Sequence, residues 1–144
     1  MKLVSGRSTL KNGSFQLELN KSCKCEIGLV EFNLPNINQN GHDENTIVIT
    51  CDQIDSNFDN PGRVLKNICF NRCDKQDVYN SWSAKFIEFC QVDSTDNYLT
   101  FRVRRAIGGK AIRFNKSLSE SNPEVFYTIA FQPMGSEECK WSTI

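Results

Sequence analysis

Apolar and polar residues alternate with a period of two along most of this chain, and no long stretch keeps the 3.6-residue period of an amphipathic helix. Phe15, Leu17 and Leu19 alternate with Gln16 and Glu18. Cys25, Ile27 and Leu29 share one face of the next run, with Val30 and Phe32 on the other. Thr46-Ile47-Val48-Ile49-Thr50-Cys51 is β-branched almost throughout, as a buried pleated strand prefers. Val64–Phe70 and Ala84–Val92 are further runs of strand length. Leu99, Phe101 and Val103 against Thr100, Arg102 and Arg104 give the cleanest alternation. Ala111–Phe114 follows Gly108-Gly109, a dipeptide suited to the positive φ of a hairpin turn, and Val125–Gln132 completes a set of eight expected strands.

The segments between these runs carry the residues that break regular structure: Pro35-Asn36, Gln39-Asn40-Gly41, Asn60-Pro61-Gly62 and Ser94-Thr95-Asp96-Asn97. Two connections, Leu34–Asn45 and Cys73–Ser83, are longer than a hairpin needs. Long connections between antiparallel strands fit crossings between two sheets, as in Greek-key and jelly-roll folds. A short helix over Lys75–Trp82 is the one helical expectation. No repeat, low-complexity block or linker divides the chain. The expectation is an all-β sandwich, a single jelly-roll domain over residues 1–144 with about eight antiparallel strands.

Composition narrows the class. The 144 residues carry 17 basic and 17 acidic side chains, a formal net charge of zero, so specific nucleic-acid binding is not expected. No apolar run approaches the roughly 20 residues that cross a bilayer, so no membrane partner is expected. The opening Met1–Arg7 turns polar too soon for a secretory leader, giving the expectation of a chain made inside a cell or expressed without its leader. Seven cysteines are many for this length. Cys25, Cys51, Cys69 and Cys90 lie inside apolar runs, where a thiol acts as a small hydrophobe, so reduced cysteines are the expectation. Against it stand three glycosylation patterns, beginning at Asn12, Asn20 and Asn115, which an Asn-rich sequence also produces by chance.

Candidate chemistry is sparse. His42 is the single histidine, in a polar loop, and no cysteine has the context of an activated nucleophile beside it. Cys23 with Cys25, and Cys69 with Cys73, have spacings that zinc sites use, but Cys25 reads as mid-strand. Asp52, Asp55 and Asp59 lie in one loop without the closer alternation and glycine of a calcium loop. Arg102, Arg104, Arg105, Lys110 and Arg113 make a basic hairpin, an anion-binding or subunit-contact candidate that reads more simply as the polar face of a half-buried strand. No phosphate loop, carboxylate dyad or nucleophile elbow is present. Hence no catalytic residue, metal ligand or cofactor is assigned, and no enzyme is expected.

The order of the blocks resembles a family. Leu3-Val4-Ser5-Gly6-Arg7-Ser8, Asn12–Leu19 and Cys25–Asn36 are similar to the start of the penton-like minor capsid proteins of Polinton/Maverick elements and adintoviruses. Ile47–Asp52 and Arg63–Ile68 resemble that family's next two strands; Asp93–Val103 resembles the block leading into its Gly-containing hairpin, here Gly108–Phe114, and Tyr127–Gln132 its closing strand. Cys25 stands where the family has Trp, Phe86–Val92 replaces a Pro-rich segment, and Phe131-Gln132 stands for a terminal Phe-Arg. The resemblance implies a single jelly roll that forms a homo-oligomer, a pentamer, at capsid vertices, with the major capsid protein as partner and the virion as location. The alternative is a secreted, lectin-like or trimeric-ligand-like jelly-roll binding module.

Overall fold

The computed structural model describes residues 1–21, 25–35, 46–56, 60, 62–70, 79–92, 97–106, 108–112, 123–133 and 141–143. They form ten strands: β1 (Lys2–Thr9), β2 (Ser14–Lys21), β3 (Cys25–Pro35), β4 (Thr46–Cys51), β5 (Val64–Cys69), β6 (Tyr79–Ser83), β7 (Cys90–Val92), β8 (Tyr98–Arg105), β9 (Glu124–Pro133) and β10 (Trp141–Thr143). Among the described residues there is no helix. One sheet runs β1-β9-β3-β6, with β7 also on β3, and the other runs β10-β2-β8-β4-β5, every ladder antiparallel. The chain changes sheet at nearly every connection, and only β4–β5 and β6–β7 stay within one sheet. With β6 and β7 taken as one interrupted strand, this is the double Greek key of a jelly roll. Both long connections cross between sheets, as their length implies: β3 to β4, and β5 to β6.

Alternation makes the sandwich. In β8 the burial switches at every step, with Leu99, Phe101 and Val103 inward and Arg102 exposed. In β4, Ile47, Ile49 and Cys51 face in. Facing them from the other sheet are Ile27, Leu29, Phe32 and Leu34 of β3 and Val125, Tyr127, Ile129 and Phe131 of β9. In β3 the inward series skips a residue between Leu29 and Phe32, because a bulge breaks the ladder between Leu29 and Glu31. An extra residue resets the pleat and keeps Phe32 in the core. Phe15 joins the two layers, its ring 5.0 Å from Phe101 and 5.2 Å from Tyr127.

Three expectations need correction. The helix over Lys75–Trp82 is absent where the chain is described: Tyr79–Ser83 is strand β6, paired with Pro35–Glu31. Residues 75–78 lie outside the described residues. Ala84–Val92 is not one strand, because only Cys90–Val92 pairs. After Ser83 the Ala84 N–H donates to Val30 O at 2.8 Å, on the bulge, and the chain then crosses the outer face of β3. The crossing is close at Gly28, where an added Cβ would run into Ile87 and come within 2.9 Å of Glu88 O. Phe86, at this arch, is 84% exposed. The turn at Gly108-Gly109 has both φ positive, at 71° and 60°, as expected. However, Ala111 and Ile112 beyond it are not in a strand, and 113–114 lie outside the described residues.

Candidate functional site

The two sheet edges that flank the core are built from different chemistry, and the candidate residues fall on or near them. On one flank β5 faces β6 and β7. Lys66 of β5 pairs with Glu88 at 3.0 Å and sits 5.7 Å from the centre of the Trp82 ring. Asn60 acts as a stand-in for a strand partner: its side chain accepts from Val64 N–H and donates to Val64 O, both at 2.8 Å. Cys90 Sγ reaches the same carbonyl at 3.6 Å. Burial pushes the Cys90 thiol pKa up, and the Glu88 and Glu26 charges add to that, so this thiol is poorly suited to act as a nucleophile. Beyond β4 the chain continues the seal, with an isolated bridge between Ile54 and Val92 and Asp55 N–H donating to Gln91 O at 2.9 Å.

On the other flank β1 faces β2. Asn12 and Gly13 make the turn between them, with φ of 53° and 76°, and Lys11 and Ser14 exchange both backbone hydrogen bonds across it, at 2.9 and 3.1 Å. Asn-Gly is the strongest two-residue signal for this turn. The dipeptide is plain in the sequence, where the triplet it opens also matches a glycosylation pattern that hides the turn. Gly13 is favoured by its left-handed φ, and the end of the Arg104 side chain packs where a Cβ would stand. Beside this turn lies a groove of about 450 Å³ lined by Ser8, Thr9, Lys11, Ser14, Phe15, Gln16 and Thr100. Its polar groups are largely engaged with one another: Ser14 Oγ donates to Lys11 O at 3.0 Å, and Gln16 Nε2 to Thr100 Oγ1 at 3.3 Å.

The basic hairpin is not an open cationic surface. Arg102 donates twice to Asp52, Nε to Oδ1 at 3.0 Å and Nη2 to Oδ2 at 2.9 Å. That fork holds the Asp52 carboxyl below its ordinary pKa, partly opposed by desolvation, with the Arg63 charge helping. Arg63 also donates to the Asp52 backbone carbonyl at 2.9 Å. Arg104 lies half-buried against Gly13, and Arg105 is buried at 6% exposure on the inward face. Lys110 is exposed at the turn, its carbonyl accepting from Arg105 N–H at 2.9 Å, and Arg113 lies outside the described residues.

Among the described residues, the remaining candidates do not converge. His42, Cys23, Cys73, Asp59 and Asn115 lie outside the described residues. Cys25 is fully buried in one sheet and Cys69 is exposed on the other. Among the described residues no group of three or more His, Cys, Asp or Glu is placed to hold a metal ion. Asp52 is committed to Arg102, and Asp55 contributes a backbone contact.

Sequence reasoning misses the outer surface of the β1 sheet. Leu3 there is 54% exposed, Phe126 36% and Met1 74%. No local pattern marks these side chains as a surface. Phe126 stands between the inward Val125 and Tyr127, three consecutive apolar residues that blur the alternation at that point. The chain matches no family model, no curated protein and no solved structure. No helix among the described residues is long and apolar enough to cross a membrane.

Proposed function

We propose that this chain is a structural subunit, a jelly roll that acts by packing against copies of itself and against a larger capsid protein, as the penton-like minor capsid proteins it resembles do at capsid vertices. The observation that carries this reading is the winding of the chain: sheets ordered β1-β9-β3-β6/β7 and β2-β8-β4-β5 account for every principal strand. A fold does not by itself specify a function, so the support comes from what the fold leaves at its surface. The β1 sheet ends on Lys2–Thr9, an eight-residue edge strand without proline that pairs with β9 alone among the described strands. Edges of that length are covered in native proteins by a neighbour or blunted by charge. In a ring, one side of a subunit packs on a different side of the next and the contact closes on itself. Zero net charge removes long-range repulsion between identical copies.

Light scattering over a wide concentration range tests this. A pentamer, formed alone or on mixing with major capsid protein, is the expected result. A strict monomer under both conditions overturns the proposal. The polar groove at Ser8, Lys11 and Gln16 favours a second reading, the extracellular binding module. Thiol titration in denaturant separates the two, with seven free groups expected for the capsid reading and one for a three-disulfide secreted module.

A further inference from the structure

The last strand of the chain supports an inference that rests on the assembly reading and names the contact through which assembly occurs. The pairing of β2 is divided. Ser14–Glu18 pair with Arg102–Tyr98 of β8, whereas Leu19–Lys21 pair with Thr143–Trp141 of β10. No β2 residue belongs to both ladders, so beyond Glu18 the strand runs past its β8 partner and forms a ribbon of three residue pairs with β10. Among the described residues β10 has no other strand as a substantial neighbour. A two-stranded ribbon is marginally stable in water even at full hairpin length, and needs a third strand or a packed face to persist. Three pairs fall short of that.

We infer that β10 is an exchangeable arm, and that in the assembled state Trp141–Thr143 of one copy pairs with Leu19–Lys21 of the next copy around the ring. Exchange preserves the ladder, because the register is the same whichever copy supplies the strand; this is why swapping an identical element is a low-cost route between protomers. Chain length permits it. Eight residue steps separate Pro133 from Trp141, a reach of up to about 28 Å, whereas the two sheets of a sandwich lie only about 10 Å apart. The connecting sequence, Met134 to Lys140, holds Gly135, Ser136 and the charged Glu137, Glu138 and Lys140. Each copy then gives one arm and receives one. That is a head-to-tail contact, the kind that closes a ring, and the neighbouring subunit gives the ribbon a second body to pack on.

The register makes the test direct. Asn20 and Ser142 are partners in the ladder. Facing residues of an antiparallel pair have Cα atoms about 4.5–5.5 Å apart, within the span a disulfide bridges. Two preparations of the full chain, Asn20→Cys with a mass tag and Ser142→Cys without one, are refolded together, oxidised and mapped by peptide mass spectrometry. The double variant is run in parallel. Arm exchange predicts a bridge between positions 20 and 142 joining tagged to untagged chains in the oligomer fraction, above the background of the native cysteines in wild-type mixtures. If oligomers form but the bridge appears only within single chains of the double variant, the inference is overturned and the assembly reading stands. Oligomers with no such bridge in either preparation overturn it too. If the chain is monomeric throughout and the bridge is intrachain, the assembly reading falls and the arm falls with it.

Discussion

Among the described residues, the flank where β5 meets β6 and β7 is sealed by polar contacts between the sheets, whereas the more open flank where β1 meets β2 is spanned by stacked rings. The first is sealed by specific cross-sheet partners: Lys66 to Glu88 and Trp82, Cys90 to Val64, and Ile54 to Val92. The second has the Asn12–Gly13 turn, a polar groove, an edge strand and the short β2–β10 ribbon. Beneath the open flank the aromatic rings of Phe15, Phe101 and Tyr127 stack across the sheets. The contrast teaches that polar pairing fixes an edge in place, while stacked apolar rings hold the layers together without closing the edge.

If stacking is what holds the open flank, the largest stability loss comes from removing the ring common to those contacts. Phe15 is 5% exposed and lies 6.5 Å from Phe32 as well. Phe15→Ala is expected to cost about 3–5 kcal/mol, since a buried aromatic is lost and the cavity cannot collapse freely between two sheets. Urea denaturation measures it. A loss below about 1 kcal/mol would mean that backbone ladders hold the open flank and that the two flanks do not differ in this way.

The sealed flank breaks differently. Gly28 lets the arch after β6 cross the sheet in contact with Ile87 and the Glu88 carbonyl, and the arch in turn positions Glu88 for Lys66. Gly28→Val is expected to cost about 1–3 kcal/mol by overpacking, because backbone stands in the way. The outcome that sharpens the comparison is local. Hydrogen exchange should rise at Ala84 and across β7, while β1 and β2 stay as they are. A change spread evenly over both flanks would count against treating them as separate structures.

These differences also mark how far the sequence can be read. Strict alternation makes β4 and β8 legible, since each inward position is apolar in β4 and nearly so in β8. β1 is invisible because Val4 is the one apolar residue it buries. Its strand character comes from an eight-pair ladder with β9, which no local pattern encodes. Residues 84–89 mislead in the opposite direction. Phe86, Ile87 and Phe89 look like strand residues, yet a bulge at Val30 and the flat surface over Gly28 draw the chain off the ladder. Tertiary context overrides β-propensity at such places. The same holds for the basic hairpin: alternation puts Arg102 and Arg104 on one face, but only the folded chain brings Asp52 across to neutralise the first.

That ion pair gives the smallest expected effect, with a definite sign. Asp52 links the loop after β4 to β8, on the outer surface next to the sealed flank, and its carboxyl pKa is lowered chiefly by the Arg102 hydrogen bonds. A group whose folded pKa lies below its unfolded value, about 3.9 for Asp, stabilises the fold above that value. The contribution fades as pH falls through the folded pKa. The two side chains are 48% and 37% exposed, so solvent and salt screen the pair, and Asp52→Asn should cost less than about 1 kcal/mol at about pH 7. The difference between variant and wild type should shrink below about pH 4 and shrink again at high salt. A penalty that stayed constant from about pH 7 to about pH 3 would show that the loop is ordered instead by neutral contacts, of which the Asp52 N–H to Thr100 O bond at 3.0 Å is the nearest. In that case the Asp52–Arg102 pair would add nothing to this flank, and its ionic part would come from Lys66 with Glu88.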